Sequence, residues 1–175
     1  MPLLPHTGLL VPDPAPHVTA VSELAMTRGL CWVADVRLDD RHLGTIENEG
    51  NGRESEFFPG QDERYTADDF AAFTAQCRRD GHALGAEQVM GLLVEEFECA
   101  AMVRDVRGHA GTYARQVTGG RITGYAEVDQ RPRTRDDLLD LARHLSPRPT
   151  HTGRAVTWQV WTGQEWRELP IPSYD

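Results

Sequence analysis

Nine consecutive residues constrain this chain more than any others. From Leu30 to Leu38 the apolar side chains Leu30, Trp32, Ala34, Val36 and Leu38 fall on every second position. A period of two is the signature of a strand with one covered face and one open face. Such a strand needs partners for its backbone groups, and its flanks supply them. Residues 17–29 read as extended, with Val18, Ala20, Leu24 and Met26 alternating with polar neighbours. Asp39, Asp40 and Arg41 offer a turn, residues 42–47 resume extension, residues 48–52 (Asn-Glu-Gly-Asn-Gly) turn again, and residues 54–58 extend once more. The pattern predicts an antiparallel meander over residues 17–58.

The period then changes. Thr66 stands where a side-chain oxygen can cap a helix, Asp68 and Asp69 sit in its first turn, and Arg78, Arg79 and Gly81 read as its end. A second helix is predicted over 86–105, with Met90, Leu93, Val94, Phe97 and Ala101 as its covered stripe and Glu95 and Glu98 outside it. The two are expected to form an antiparallel pair joined by residues 81–85. Two strands around Gly119 and Gly120, a third helix presenting Leu138, Leu141, Ala142 and Leu145, and a final hairpin turning at residues 162–164 complete the reading. Strands followed by helices, without strict alternation, predict an α+β fold with an antiparallel sheet and about three helices. The domain reading is a proline-rich arm, residues 1–16, before a single domain, 17–175. With five prolines the arm cannot be a helix or a central strand; it is either mobile or docked through Leu3, Leu4, Leu9 and Leu10.

Charge and cysteines bound the partners. The formal net charge is −9, and all 18 basic residues are Arg. Residues 1–65 hold 5 Arg against 11 acids, residues 66–105 hold 3 against 8, and residues 106–175 hold 10 against 8. A net-negative globule repels a phosphate backbone, so no direct nucleic-acid binding is expected. The one basic run, Arg131 to Arg135, leads into Asp136 and Asp137 and reads as a helix start. No stretch approaches the ~20 apolar residues of a membrane span, and residues 1–16 lack the basic start of a signal peptide. Cys31, Cys77 and Cys99 are odd in number and far apart, so reduced thiols in a cytoplasmic protein are expected.

The candidate site is the acidic stretch from Asp39 to Glu56. Its carboxylates are Asp39, Asp40, Glu47, Glu49, Glu54 and Glu56. A calcium loop starting at Glu47 would place Glu49, Asn51 and Gly52 at the third, fifth and sixth positions, but Phe58 occupies the twelfth, where a bidentate Glu is required. Alternation sets the glutamates opposite to Ile46 and Phe57, on a solvent face rather than around a shared ion. No cofactor is expected. The seven histidines are scattered, and His109 and His151 lie in glycine-containing stretches where functional groups often sit. Nucleophile-elbow, phosphate-loop and zinc-protease spacings do not occur. Trp158, Trp161 and Trp166 crowd the last hairpin. They read either as core, with one face under the third helix and a cross-strand pair on the other, or as an aromatic anchor for a partner or a second subunit.

The spacing Gly44, Ile46, Asn48, Gly50, Gly52 after a long strand, with a later Trp-containing hairpin, resembles a pattern of small uncharacterised accessory proteins of phages, plasmids and related mobile elements. The resemblance covers about a quarter of the chain and brings no catalytic residue with it. What it implies is a small accessory protein. Two functions follow as expectations. The first is an acidic, non-enzymatic binding or regulatory protein whose partner has a basic surface, with homo-oligomers compatible. The second is a metal-dependent phosphoester hydrolase using the loop carboxylates.

Overall fold

The alternating run is the centre of a four-stranded antiparallel sheet. The computed structural model describes residues 1–26, 29–61, 64–105, 111–145 and 156–170, which fall into two compact units, Met1–Ala100 and Ala101–Asp175. In the first unit, β1 (His17–Met26), β2 (Gly29–Leu38), β3 (Arg41–Asn48) and β4 (Glu56–Pro59) pair in that order. Ala34 and Val36 of β2 are fully buried, as their period requires, and Ile46 of β3 lies opposite Ala34.

Two bulges reset this alternation. Thr19 is extra in β1, since Val18 faces Val36 but Ala20 faces Asp35. Leu43 is extra in β3, between the Val36–Gly44 and Arg37–His42 pairs. Beyond the first bulge it is Val21 that faces Ala34, while Leu24 pairs with Cys31 on the opposite side and is 62% exposed. The expected face shared by Val18 and Leu24 is therefore corrected: one extra residue shifts a period of two by half a repeat.

The covered face of this sheet packs against α1 (Ala67–Gln76) and α2 (Ala86–Asp105). Phe57 of β4 stacks on Phe70 of α1 at 4.0 Å between ring centroids. Met90, Leu93 and Val94 of α2 are buried in the same core, with Phe97 packed against it. Helix α1 opens with the predicted cap: the Thr66 hydroxyl accepts from Asp69 N, and the Asp69 carboxylate accepts from Thr66 N. It ends earlier than predicted. Arg78–Arg79 and His82–Ala83 form a small hairpin, β5 and β6, around Asp80 and Gly81, whose φ values are 51° and 79°. The helices are thus joined through a hairpin and not directly.

The N-terminal arm is docked. Leu9 and Val11 are fully buried in the core of the first unit, whereas Leu3 is 60% exposed. Leu10 exchanges backbone hydrogen bonds with Arg78 at 2.8 and 3.0 Å. The Glu96 carboxylate of α2 accepts from His6 N, Thr7 N and the Thr7 hydroxyl.

In the second unit, β7 (Thr112–Thr118), β8 (Arg121–Val128), β9 (Val156–Trp161) and β10 (Trp166–Glu168) form an antiparallel sheet in the order β10-β9-β7-β8. Gly119 and Gly120 make the β7–β8 turn, both at positive φ. Helix α3 (Arg135–His144), capped by Thr134 and Asp137, brings Leu138, Leu141, Ala142 and Leu145 onto Val160, Leu169 and Trp158. The architecture of the described residues is α+β, with three helices and three antiparallel sheets.

Candidate partner-binding face

The open face of the first sheet gathers most of the acidic candidates. Register and alternation lay its side chains in rows across the strands. One row runs Ser22, Val33, Glu47, Glu56; the next runs Ala20, Asp35, Thr45, Phe58; a third runs His17, Arg37, His42. His42 lies 3.7 Å from Asp35, which places both on this side of the sheet. Val33 and Phe58 are 39% and 45% exposed in its midst. Glu47 and Glu56 stand directly opposite on neighbouring strands, a like-charge pair that disfavours strand pairing. Thr45 Oγ1 donates to Glu47 at 2.9 Å.

The connection from β3 to β4 completes the site. It is a loop of residues 49–55 rather than a tight corner. Asn48 Oδ1 accepts from Gly50 N and Asn51 Oδ1 from Arg53 N, two side-chain turns that shape it. Gly50 adopts φ 64°, and a β-carbon there would press into the Leu30 carbonyl. The loop is tied down at both ends. The Glu87 carboxylate of α2 accepts from Ser55 N and Ser55 Oγ, and Asn48 Nδ2 donates to Ser55 Oγ. Cys31 Sγ donates to Glu49 O. Held this way, Glu47, Glu49, Glu54 and Glu56 surround a shallow hollow of about 70 Å³ with Arg53 and Phe58. Alternation alone had set the two pairs of glutamates on a solvent face; the loop brings them around one depression.

Asp39 and Asp40 do not join them. They form the two-residue β2–β3 turn, with Asp39 at φ 52°, six residues along β2 from Val33, or about 20 Å at strand spacing. Among the described residues no three His, Cys, Asp or Glu side chains are arranged to hold a metal ion. His109 and His151 lie outside the described residues.

The tryptophans occupy both sides of β9. Trp158 packs with the α3 leucines. Trp161 is only 5% exposed and pairs across the strands with Trp166 at 5.5 Å, and the Arg115 guanidinium lies 4.3 Å from the Trp166 ring. A cavity of about 670 Å³ lies beside α3, lined among others by Arg131, Arg133, Asp137, Asp140 and His144. Two of its carboxylates are engaged: Asp137 accepts from Arg133 N and Thr134 N, which holds its carboxyl below the usual range, and Asp140 pairs with Arg143 at 2.7 Å.

The exposed apolar members of the open face, Leu24, Val33 and Phe58, were absent from the sequence-based site. Val33 sits opposite the apolar period of its strand and could have been found that way; Leu24 could not, because the bulge that re-aims it leaves no sequence mark. Comparison with protein-family models, curated proteins and solved structures gave no match in any of the three.

Proposed function

We propose that this chain is a small acidic binding or regulatory protein, without catalytic activity of its own, that docks a protein with a basic surface on the open face of its first sheet. One observation carries the reading: Val33 and Phe58 stand exposed beside a directly opposed Glu47–Glu56 pair. The opposed carboxylates cost stability in an isolated sheet, and exposed apolar side chains gathered beside charges mark interaction surfaces. Features that break local folding rules without a compensating contact concentrate at functional surfaces. Apolar side chains ringed by carboxylates complement an apolar side chain flanked by Arg or Lys, and the carboxylates steer its approach. A role as accessory or inhibitor of a mobile element belongs to the same proposal and rests on the glycine-spaced pattern from Gly44 to Gly52. A cytoplasmic setting fits the three free thiols.

Fluorescence anisotropy with a labelled peptide of alternating Arg and Leu tests the face. Binding is expected to weaken at least about tenfold when Glu47, Glu49, Glu54 and Glu56 become Gln, and to weaken with added salt. Equal affinity of the variant and the native chain would remove the face from the mechanism.

A further inference from the structure

The open face of the first sheet is polarised. At one end lie His17, Arg37 and His42, aligned across β1, β2 and β3. Two rows further on, roughly 13 Å at strand spacing, lie Glu47 and Glu56, with Glu49 and Glu54 beside them. Between the two ends run Ala20, Asp35, Thr45 and the exposed Phe58. The two bulges create this arrangement. The one at Leu43 sets His42 beside Arg37, and the one at Thr19 brings Leu24 to the open side at the acidic end.

We infer that this face is self-complementary and takes a second copy of the chain, packed face to face about a two-fold axis that runs across the strands through the Phe58 row. The inference rests on the proposed function and names a partner for the same surface. That operator reverses the strand direction while keeping like strands opposed. It lays Phe58 against Phe58 of the copy, and the Arg37–His42 end over the Glu47 end of the copy, twice. Arg37 supplies the fixed positive charge, and His42 lies 3.7 Å from Asp35 beside it. A twofold operator along the strands would set each charged end over its like and is disfavoured. The consequence is regulation: the dimer covers the glutamates, so self-association competes with a basic partner for one face.

Sedimentation velocity over a concentration series tests this with four variants. The native chain is expected to pass from monomer to dimer as concentration rises, more weakly at high salt. Arg37→Glu alone, and Glu47→Arg with Glu56→Arg, should each raise the dimer dissociation constant at least about tenfold. Combining all three substitutions should restore dimerisation, a rescue that misfolding cannot imitate. Phe58→Asp should give a monomer. A native chain that stays monomeric, or a dimer indifferent to both charged ends, overturns the inference. The Arg-Leu peptide separates the two proposals: a monomer that binds the peptide through its glutamates leaves the docking function standing without the dimer, and a dimer whose Glu→Gln variant binds the peptide unchanged does the reverse.

Discussion

Gly50 shows how much one residue of the acidic loop is scaffold. Its φ of 64° and the Leu30 carbonyl beside it exclude a β-carbon, so Gly50→Val should destabilise the fold by about 1–3 kcal/mol. Gly52 has φ 83° but open space around it, so Gly52→Ala should cost only the backbone strain, about 1 kcal/mol. Chemical denaturation of the two variants measures the difference, and equal losses would mean that the Leu30 contact is not made. Glu98 is a second residue-scale test. Partial burial of its carboxyl, followed by Glu23 and Glu95, pushes its pKa up. A carboxylate with a raised folded pKa contributes stability that is complete below its unfolded value near 4.5 and is lost as pH rises through the folded value. Glu98→Gln should therefore raise the melting temperature at pH 7, and the gain should vanish toward pH 4. Asp69 and Asp137 run the other way. Their capping hydrogen bonds hold them low, so their contribution persists above the unfolded value near 3.8 and fades as pH falls through the folded one.

At the scale of elements, the arm is the instructive case. A segment with five prolines joins the core because Leu9 and Val11 fill it and the Glu96 carboxylate holds the backbone at His6 and Thr7. Leu9→Ala should cost about 2–5 kcal/mol. Glu96→Ala, which strips three donors of their acceptor, should cost about 1–3 kcal/mol. Urea titration of each checks this, and a loss below about 0.5 kcal/mol for both would mean that the arm is dispensable. Docking was one of two outcomes open from the sequence, and of the four leucines named for it Leu9 is buried while Leu3 is not. Local signals read well elsewhere: the Thr66 cap, Met90, Leu93 and Val94 of the α2 stripe, the Trp161–Trp166 pair and the Ala34–Val36 alternation of β2 are short-range patterns, and short-range patterns survive folding. Two failures were of different kinds. Asp80-Gly81 is a strong hairpin signal, but the two arginines and the glycine equally suit a helix C-terminus. The bulge at Thr19 had no signal at all, since it is set by pairing with β2 and not by β1 itself. The site was legible in its carboxylates and at Val33, opposite the apolar period of β2, and illegible at Leu24 for that reason.

For the whole molecule, the account separates scaffold from surface. Changing Glu47, Glu49, Glu54 and Glu56 to Gln should leave thermal stability within about 0.5 kcal/mol of the native chain, or slightly above it, because Glu49, Glu54 and Glu56 are exposed and contribute little, Gln at 47 can still accept from Thr45, and the Glu47–Glu56 repulsion is relieved. Stability and binding are then read from different residues of one loop: glycines, Asn48 and Ser55 hold it, and glutamates with Phe58 present it. The most direct measurement is photo-crosslinking in the host cell, with a photoreactive phenylalanine analogue placed at Val33, at Phe58 and, as a control in the other sheet, at Tyr125. The account predicts discrete protein adducts from positions 33 and 58 that disappear when the four glutamates are Gln, and none of the same adducts from position 125. No adduct from positions 33 and 58, or the same adducts from all three with or without the glutamates, would contradict it.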